Sequence, residues 1–385
     1  MKIVFTGGGT GGHFYPIIAI AEALHDLTNE KRLLAPQMYF MAPTAYDPEA
    51  LFANQIQFVS CPAGKMRRYK SLRNFTDLFI TAWGVVSALI TLFRLYPDVV
   101  VSKGGYTSVP VTIAANILHI PVIIHESDAH PGRANLLAAK YAARIAVAFD
   151  SARTYFPKKS QDRIARIGIP IRKEVAFIDA EGAVQELGLE REIPTVLILG
   201  GSSGSAHINE TILSALPDLV SFANVIHQTG KDLFKEVEGT SKVVLEASEH
   251  KTRYHVFPYL SALSLRRAAG AATIVISRAG STAISEISLW KKPAILIPIP
   301  EAVSHDQRTN AYAYAHTGAA IVLEESNMTP HVLASEARRI ATDPALVATM
   351  GQKGASFANP EAARMIAEEA ISIALLHEPP VPISE

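Results

Sequence analysis

Two stretches of the chain have the same form: an apolar run, a glycine-rich turn and then a helical pattern. They are IVFTGGGTGGH at residues 3–13 and VLILGGSSGSAHIN at residues 196–209. Around them, short β-rich apolar runs alternate with longer helical patterns, which is typical of parallel sheets covered by helices on both faces. The sequence therefore predicts one α/β architecture used twice, as two Rossmann-like doubly wound parallel-sheet domains with a cleft between them.

The predicted elements also place a domain boundary. A charged, loosely patterned segment follows IPIR at residues 169–172. We therefore assign residues 1–172 to an N-terminal domain and residues 173–358 to a C-terminal domain, and expect a last helix within 359–385 to pack back on the first domain. Predicted strands cover residues 2–6, 37–41, 97–101, 121–125, 144–149, 195–199, 223–227, 272–276 and 294–298. Predicted helices include residues 15–27, 109–118, 206–215, 282–289, 306–316 and about 360–376.

Composition and charge narrow the class of protein. The chain has 385 residues, with an apolar fraction of 49% and a charged fraction of 19%, which indicates a globular protein of more than one core. A net charge of +0 gives no support for nucleic-acid binding. The single Cys61 excludes an intrachain disulfide and fits a reducing compartment. The apolar run after Lys2 is too short for a signal peptide, so we expect a cytoplasmic protein.

The first glycine turn contains the pattern G-x-G-x-x-G at Gly7, Gly9 and Gly12. Glycine lets a ligand approach the backbone, and free N–H groups at the start of the next helix attract phosphate. A dinucleotide site also needs an acidic residue at the end of the second strand, where this chain has MAP at residues 41–43. A nicotinamide site is therefore disfavoured, and a Walker A lysine is absent. A tight turn without any ligand is the alternative.

The second glycine turn, GGSSG at residues 200–204, allows two interpretations. It matches G-x-S-x-G, the nucleophile motif of α/β-hydrolases, with Ser202 as nucleophile and with Glu286 and His305 in the order of a triad. It is equally a second anion-binding turn at the start of a helix. The duplicated architecture favours the anion-binding turn.

Further polar residues follow predicted strands. His125 and Glu126, in HESD, are candidates for a general base or for a buried pair that holds the loop. Glu286 lies four residues after Thr282 on one helical face, where it is either a ligand of a ribose diol or a solvated charge. Gln307 suits sugar hydroxyls, with ordinary helix capping nearby as the alternative.

Metal-binding motifs are missing from the sequence. The chain contains no D-x-D pair, no H-E-x-x-H and no Cys/His cluster with metal spacing. We therefore expect no cofactor and no protein metal site, although a divalent ion bound through substrate phosphates is compatible with the sequence. The charge of a bound diphosphate would then be balanced by the glycine turns, by helix dipoles and by Arg172.

One segment suggests a membrane. Residues 78–93, LFITAWGVVSALITLF, carry no charge and are just shorter than the ~20 residues that span a bilayer as a helix. The preceding stretch 64–73 is basic and contains no acid. Together they predict either a buried core helix or a surface that binds anionic lipid. The residues of that surface are Lys65, Arg67, Arg68, Lys70, Arg73, Leu78, Phe79 and Trp83.

In its motifs the chain resembles the peptidoglycan glycosyltransferases of the MurG type. The similarity runs from residue 3 to about residue 330 and keeps the order of the motifs. The matching motifs are GGTGGHFYP, KGGYTSVP, IPVIIHE, PGRAN, IPIR, GGSSGSAHIN, IHQTGK, SRAGSTAISE, KKPAILIPIP and HDQRTNA.

The resemblance implies a GT-B fold and a peripheral location on the cytoplasmic face of the plasma membrane. It also implies inverting transfer of N-acetylglucosamine from UDP-N-acetylglucosamine to undecaprenyl-diphosphate-N-acetylmuramoyl-pentapeptide, which converts lipid I into lipid II. Two alternatives remain open. One is another GT-B transferase with a lipid acceptor, such as a diacylglycerol sugar transferase. The other is a non-catalytic binder of nucleotide sugars.

The resemblance further implies roles for individual residues. His13 is the leading candidate for the general base and Glu126 is its rival. Glu286 is expected on the ribose, and the backbone near Leu260 on the uracil. The implied donor-side residues are Thr10, Gly11, Gly12, Asp128, Arg172, Ser202, Leu260, Ser281, Thr282, Ala283, Ile284, Ser285, Glu286 and Gln307. The implied acceptor-side residues are Tyr106, His125 and Asn135.

Three positions depart from the family pattern. The family usually has asparagine where this chain has Asp128, glutamine where it has Ser203, and histidine or glutamine where it has Asp306. Asp128 adds a negative charge near a diphosphate unless it is protonated or paired, for example with Arg133.

Overall fold

The computed structural model of the chain describes residues 1–65, 73–201, 204–301 and 305–376, with the backbone alone for Arg73, Asn74 and His305. Contacts within the chain divide it into two units. The N-terminal unit comprises Met1–Arg172 and the segment that begins at Pro360. The C-terminal unit comprises Lys173–Asn359.

Each unit contains a parallel sheet. The strands of the N-terminal unit are β1 (Lys2–Thr6), β2 (Gln37–Ala42), β3 (Ile56–Ser60), β4 (Val99–Ser102), β5 (Val122–Glu126), β6 (Arg144–Val147) and β7 (Ile164–Arg166). Those of the C-terminal unit are β8 (Thr195–Leu199), β9 (Asn224–Gln228), β10 (Tyr254–Phe257), β11 (Ile274–Arg278), β12 (Ala294–Ile297) and β13 (Ala320–Val322).

Helices connect these strands. They are α1 (Gly11–Glu30), α2 (Pro48–Ala53), α3 (Arg73–Leu95), α4 (Val109–Ile117), α5 (Arg133–Ala138), α6 (Lys173–Ala176), α7 (Ala180–Leu187), α8 (Ala206–Val220), α9 (Phe234–Val244), α10 (Ala262–Ala271), α11 (Ser281–Leu289), α12 (His305–Ala315), α13 (Pro330–Ala341), α14 (Pro344–Gly354) and α15 (Ala362–Leu375).

The two sheets share one strand order. In the described part of the chain, the N-terminal sheet runs β3-β2-β1-β4-β5-β6-β7 and the C-terminal sheet runs β10-β9-β8-β11-β12-β13. Within each unit, the order of the first six strands is the 3-2-1-4-5-6 of doubly wound sheets. The predicted α/β class, with one architecture used twice, is confirmed.

The nine predicted strands are all interior strands, and the four strands that sequence patterns miss are the four sheet edges β3, β7, β10 and β13. Interior strands such as β8 are buried on both faces and therefore read as continuous apolar runs. The edge strand β3, IQFVS, exposes most of its side chains and lacks such a run. The first helix also begins at Gly11 rather than at Tyr15, since glycines form its first turn.

Apolar layers cover both faces of the N-terminal sheet. Residues of α1 and α15 form one layer with side chains of β1, β2 and β4. Buried residues of α3 and α4 contribute to the opposite layer. The helix α15 buries Ile366, Ile371 and Ile373 among small alanines, and Arg364 of this helix pairs with Glu30 of α1 at 2.7 Å. The predicted last helix therefore packs on the N-terminal sheet.

Candidate active site

The topological switch point of the N-terminal sheet lies between the neighbouring strands β1 and β4. Ligands of doubly wound sheets bind beyond the strand ends at such a point. The glycine turn follows β1, and Lys103-Gly104-Gly105 follows β4. Gly7 has a φ of 139°, and a Cβ there would lie 2.8 Å from the Cβ of Lys103. The two turns thus pack so closely that only glycine fits.

His13 lies in the first turn of α1, at this switch point. Its Nδ1 lies 2.8 Å from the Thr10 hydroxyl oxygen, and a Cβ at Gly105 would lie 3.9 Å from its Nε2. When Nδ1–H donates to Thr10, Nε2 carries the lone pair that a base requires. Burial and the cation of Lys103 lower the pKa of His13, whereas Asp128 raises it. The neutral ring is therefore the favoured form at pH 7.

His125 supports the site from behind rather than lining it. Its side chain is fully buried, and Nε2 lies 2.7 Å from the carbonyl oxygen of Gly168. Since a carbonyl only accepts, Nε2 carries the hydrogen, and Nδ1 accepts from the Lys103 ammonium at 2.6 Å. Burial and the charge of Lys103 hold the pKa of His125 well below its usual value. Both ring nitrogens are thus bound inside the unit.

Glu126 anchors the loop that follows β5. Its carboxylate accepts from the Asp128 N–H at 2.9 Å, from the Gly132 N–H at 3.0 Å and from Asn135 Nδ2 at 2.9 Å. Burial and the charge of Asp128 raise the pKa of Glu126, and the three hydrogen bonds oppose that rise. This use of both oxygens makes Glu126 a weaker candidate for the base than His13.

Three further predicted residues lie near the two turns or the first helix. Asn135 also donates to the carbonyl of His125 at 3.1 Å, and its buried Oδ1 has no hydrogen-bond partner in the described part of the chain. The guanidinium carbon of Arg172 lies 4.0 Å from the centre of the Tyr15 ring. Tyr106 lies beside the turn, because a Cβ at Gly9 would be 3.5 Å from its ring. The predicted residues Gly11 and Gly12 belong to the first turn of α1.

In the C-terminal unit the switch point lies between β8 and β11. The glycine turn follows β8, but Ser202 and Ser203 lie outside the described residues. Gln228, a residue that the sequence reasoning missed, connects two predicted donor-binding segments. Its amide donates to the carbonyl of Gly201 at 3.1 Å and accepts from the N–H of Leu260 at 3.0 Å. Its position at the carboxyl end of β9 and its place in the motif IHQTGK are the sequence signals that could have indicated it.

The start of α11 follows the carboxyl end of β11. Its N-cap is Gly280, whose lack of a side chain leaves the first-turn N–H groups without a side-chain cap. Thr282 has a buried hydroxyl with no partner in the ranges described. The side chains of Ser281, Ile284 and Ser285 are buried, whereas those of Thr282, Ala283 and Glu286 keep partial exposure. This helix terminus is built like an anion site.

Two donor-side expectations depend on α12 and its preceding loop. The side chain of Gln307 is half-buried and accepts a hydrogen bond from the N–H of Ile299 at 3.2 Å. The hydrolase interpretation needs Ser202 and the side chain of His305, both of which lie outside the description. Among the residues described, no group of three or more His, Cys, Asp or Glu is placed to hold a metal ion.

The apolar segment forms α3, and its bulky side chains are exposed. Leu78, Phe79 and Trp83 are 55%, 61% and 64% exposed, and Lys65 is exposed before the helix. Arg67, Arg68 and Lys70 lie outside the described residues, as does the side chain of Arg73. The face of α3 that packs on the unit consists of Asp77, Gly84, Ala88 and Leu92.

These exposures disfavour the interpretation of α3 as a core helix. By length and composition alone, Phe75–Leu95 could cross a membrane. Of its most apolar stretch of 18 residues, 17% is buried.

Comparisons with known proteins agree with this geometry. The N-terminal domain of glycosyltransferase family 28 matches residues 3–147, and the C-terminal domain of that family matches residues 195–366. A Bacillus anthracis protein named UDP-N-acetylglucosamine--N-acetylmuramyl-(pentapeptide) pyrophosphoryl-undecaprenol N-acetylglucosamine transferase 2 is 36% identical over 86% of this chain and 89% of its own length. A Halothermothrix orenii transferase of the same name, without the number, is 34% identical over 94% of this chain and 95% of its own length.

The crystal structure of Acinetobacter baumannii MurG has the same fold, with a TM-score of 0.72 at 24% identity over 96% of this chain and 99% of that one. The predictions of a GT-B fold, of a glycosyltransferase and of the MurG type are confirmed. The chain belongs to glycosyltransferase family 28, within its MurG-type N-acetylglucosamine transferases.

Proposed function

We propose that this protein transfers N-acetylglucosamine from UDP-N-acetylglucosamine to an undecaprenyl-diphosphate-linked N-acetylmuramoyl-pentapeptide. The observation that carries the proposal is the 34–36% identity, over most of the chain, to transferases named for that reaction. The two glycine turns at the switch points of the two sheets support it, because glycine turns that precede helices are typical binding sites for diphosphates.

The donor is assigned chiefly to the C-terminal unit. First-turn N–H groups of α11 meet the diphosphate, the partly exposed Glu286 holds the ribose and Gln307 holds the sugar. The Leu260 N–H is already bound by Gln228, so its backbone meets the uracil through the carbonyl. The donor-side set that the family resemblance implies also includes Ser202 of the C-terminal unit and, in the N-terminal unit, Thr10, Gly11, Gly12, Asp128 and Arg172.

The reaction is an inverting displacement at the anomeric carbon. The 4-hydroxyl of the acceptor sugar attacks that carbon, the bond to the UDP oxygen breaks and the hydroxyl proton passes to Nε2 of His13. Helix dipoles and backbone N–H groups stabilise the charge that develops on the leaving diphosphate. The protein supplies no cofactor and no metal ligand in this proposal, and any divalent ion enters through the substrate phosphates.

The protein also binds the cytoplasmic surface of the plasma membrane through α3. Its exposed Leu78, Phe79 and Trp83 enter the lipid, and the basic stretch before the helix attracts anionic headgroups. The packing of Asp77 and Leu92 against the unit favours a helix that lies on the membrane over one that crosses it. The lipid-linked acceptor is anchored in that membrane. Nucleic acid is not a partner in this proposal.

The deciding experiment is transfer of labelled N-acetylglucosamine from its UDP conjugate to a lipid I analogue, with diacylglycerol as a competing acceptor. We expect disaccharide formed on the lipid I analogue alone. Sugar transferred to diacylglycerol would identify a different lipid-acceptor transferase. Binding of UDP-N-acetylglucosamine without turnover would identify a non-catalytic binder, and labelling of Ser202 by an acylating probe would favour a hydrolase.

A further inference from the structure

Lys103 is a buried cation that the proposed chemistry does not use. It follows β4 at the switch point, and its side chain is 1% exposed. An ammonium group in such a place is costly unless hydrogen bonds and opposite charges compensate it. Its retention beside the reacting groups therefore needs a reason.

The contacts of Lys103 join three segments of the site. Its ammonium donates to His125 Nδ1 at 2.6 Å and to the hydroxyl of Ser127. Its Cβ packs on Gly7, where no side chain would fit. Lys103 thus holds the loop after β5 and the glycine turn that leads to His13.

The charged groups around Lys103 and His13 shift the pKa values of these two residues in opposite directions. The titratable groups that interact with Lys103 or with His13 include His125 and Glu126 of β5 and Asp128 just after it. Burial lowers the pKa of Lys103, and the carboxylates of Glu126 and Asp128 raise it. At His13 the two charges act in opposite directions, because Lys103 lowers its pKa and Asp128 raises it. Three hydrogen-bond donors already hold the carboxylate of Glu126. The test therefore changes Asp128, the other carboxylate that raises the pKa of Lys103.

We propose that Lys103 is a positioning residue for the sugar transfer: its buried ammonium holds His125 of β5 and Ser127 of the loop after β5, and with the carboxylate of Asp128, the residue after Ser127, it forms a matched pair of charges around His13. The inference rests on the proposed function. It also accounts for Asp128, which departs from the family pattern: its negative charge balances a cation inside the unit instead of facing a diphosphate alone.

The test compares Lys103→Met, Asp128→Asn and the double variant in the full-length protein. We expect each single change to lower kcat/KM by about tenfold or more. The kcat/KM of the double variant should be about tenfold higher than the two single losses multiplied together would give. Lys103→Arg should not rescue, since the larger guanidinium does not fit where the buried ammonium lies against His125 and Ser127. The control Lys292→Met removes a half-buried lysine of the C-terminal unit and should leave kcat/KM within about twofold.

Titration of the His13 ring by NMR gives a readout that does not depend on activity. Asp128→Asn should lower the pKa of His13, Lys103→Met should raise it, and the double variant should return it toward the value of the unmodified protein. Multiplicative kinetics in the double variant, or a His13 titration unchanged by Asp128→Asn, would overturn the inference. If Lys103→Met does not fold, Asp128→Asn alone decides through the titration. Absence of transfer by the unmodified protein would instead refute the proposed function.

Discussion

At the scale of single residues, His13 combines an open ring nitrogen with a lowered pKa. A base must be neutral to accept a proton, and burial with the Lys103 cation favours the neutral ring. Because the pKa of His13 is lowered from 6.5, the acid limb of the kcat/KM profile should lie below pH 6.5. Removal of the ring in His13→Ala should lower kcat by about 10²–10⁴-fold. Steady-state kinetics across pH measures both effects.

The rival variant Glu126→Gln separates the two candidates. It replaces a carboxylate that accepts three hydrogen bonds, so it should loosen the loop and raise KM more than it lowers kcat. The assignment of His13 would fail if His13→Ala kept a near-normal kcat with a raised KM.

Gln228 gives a second prediction at this scale. Gln228→Glu keeps an acceptor for the Leu260 N–H but places a carboxylate against the carbonyl of Gly201. The two donor-binding segments should separate, so the KM for UDP-N-acetylglucosamine should rise by about tenfold with a smaller change in kcat. The control Gln161→Glu alters an amide that donates to two carbonyls in the N-terminal unit. Equal effects of both variants on KM would contradict the role of Gln228.

At the scale of elements, α3 has its small residues inside and its large apolar residues outside. Trp83→Glu should weaken binding to vesicles with anionic lipid by about tenfold or more, since it removes a large apolar side chain from the proposed contact. The control Phe52→Glu changes a side chain that is 88% exposed on α2. Vesicle pelleting measures both. Equal losses, or binding that ignored lipid charge, would count against a membrane surface on α3.

Two helical glycines make a matched pair for stability. A Cβ at Gly84 of α3 would lie 1.9 Å from the carbonyl oxygen of Pro62, whereas nothing lies within 4 Å of a Cβ at Gly239 of α9. Gly84→Ala should therefore lower the free energy of unfolding by about 1–3 kcal/mol. Gly239→Ala should raise it by about 0.5–1 kcal/mol, because alanine is the better helix former. Chemical denaturation checks the signs, and the same sign for both would disprove the packing argument.

At the scale of the whole molecule, the chain returns to its N-terminal unit through α15. Ile371 of this helix is 2% exposed in the layer formed with α1. Ile371→Ala should lower the free energy of unfolding of the N-terminal unit by about 2–5 kcal/mol. In a Trp83→Phe background, which leaves Trp290 as the one tryptophan, this side chain buried in the C-terminal unit should report an unchanged transition by fluorescence. The control Leu376→Ala, 79% exposed, should change neither, and an equal effect from it would refute the packing of α15.

Most of the fold follows from local patterns because interior strands are buried on both faces and carry continuous apolar runs. The edge strands β3, β7, β10 and β13 escape such patterns, since one side of each lacks a neighbouring strand and their side chains are partly exposed. The start of α1 escapes for another reason. Its first residues are Gly11 and Gly12, which disfavour a helix locally and are held there by the turn after β1.

In the candidate site too, local patterns predict some features and miss those that depend on contacts between distant segments. The sequence places Glu126 at the end of a predicted strand, His13 beside the glycine turn and Glu286 on a predicted helix, and the structure has each of them there. It does not indicate that both nitrogens of His125 are bound inside the unit. That fact depends on Lys103 and Gly168, which lie on other segments.

By itself, the sequence determines two doubly wound units, their glycine turns and the family of the chain, because periodicity, turns and motifs are local properties. The tertiary structure decides which side of α3 is exposed and how Gln228 joins Gly201 to Leu260. It also decides that Lys103 and Asp128 act on His13 with opposite sign. These outcomes depend on burial and on distances between residues far apart in the chain, which no local pattern encodes.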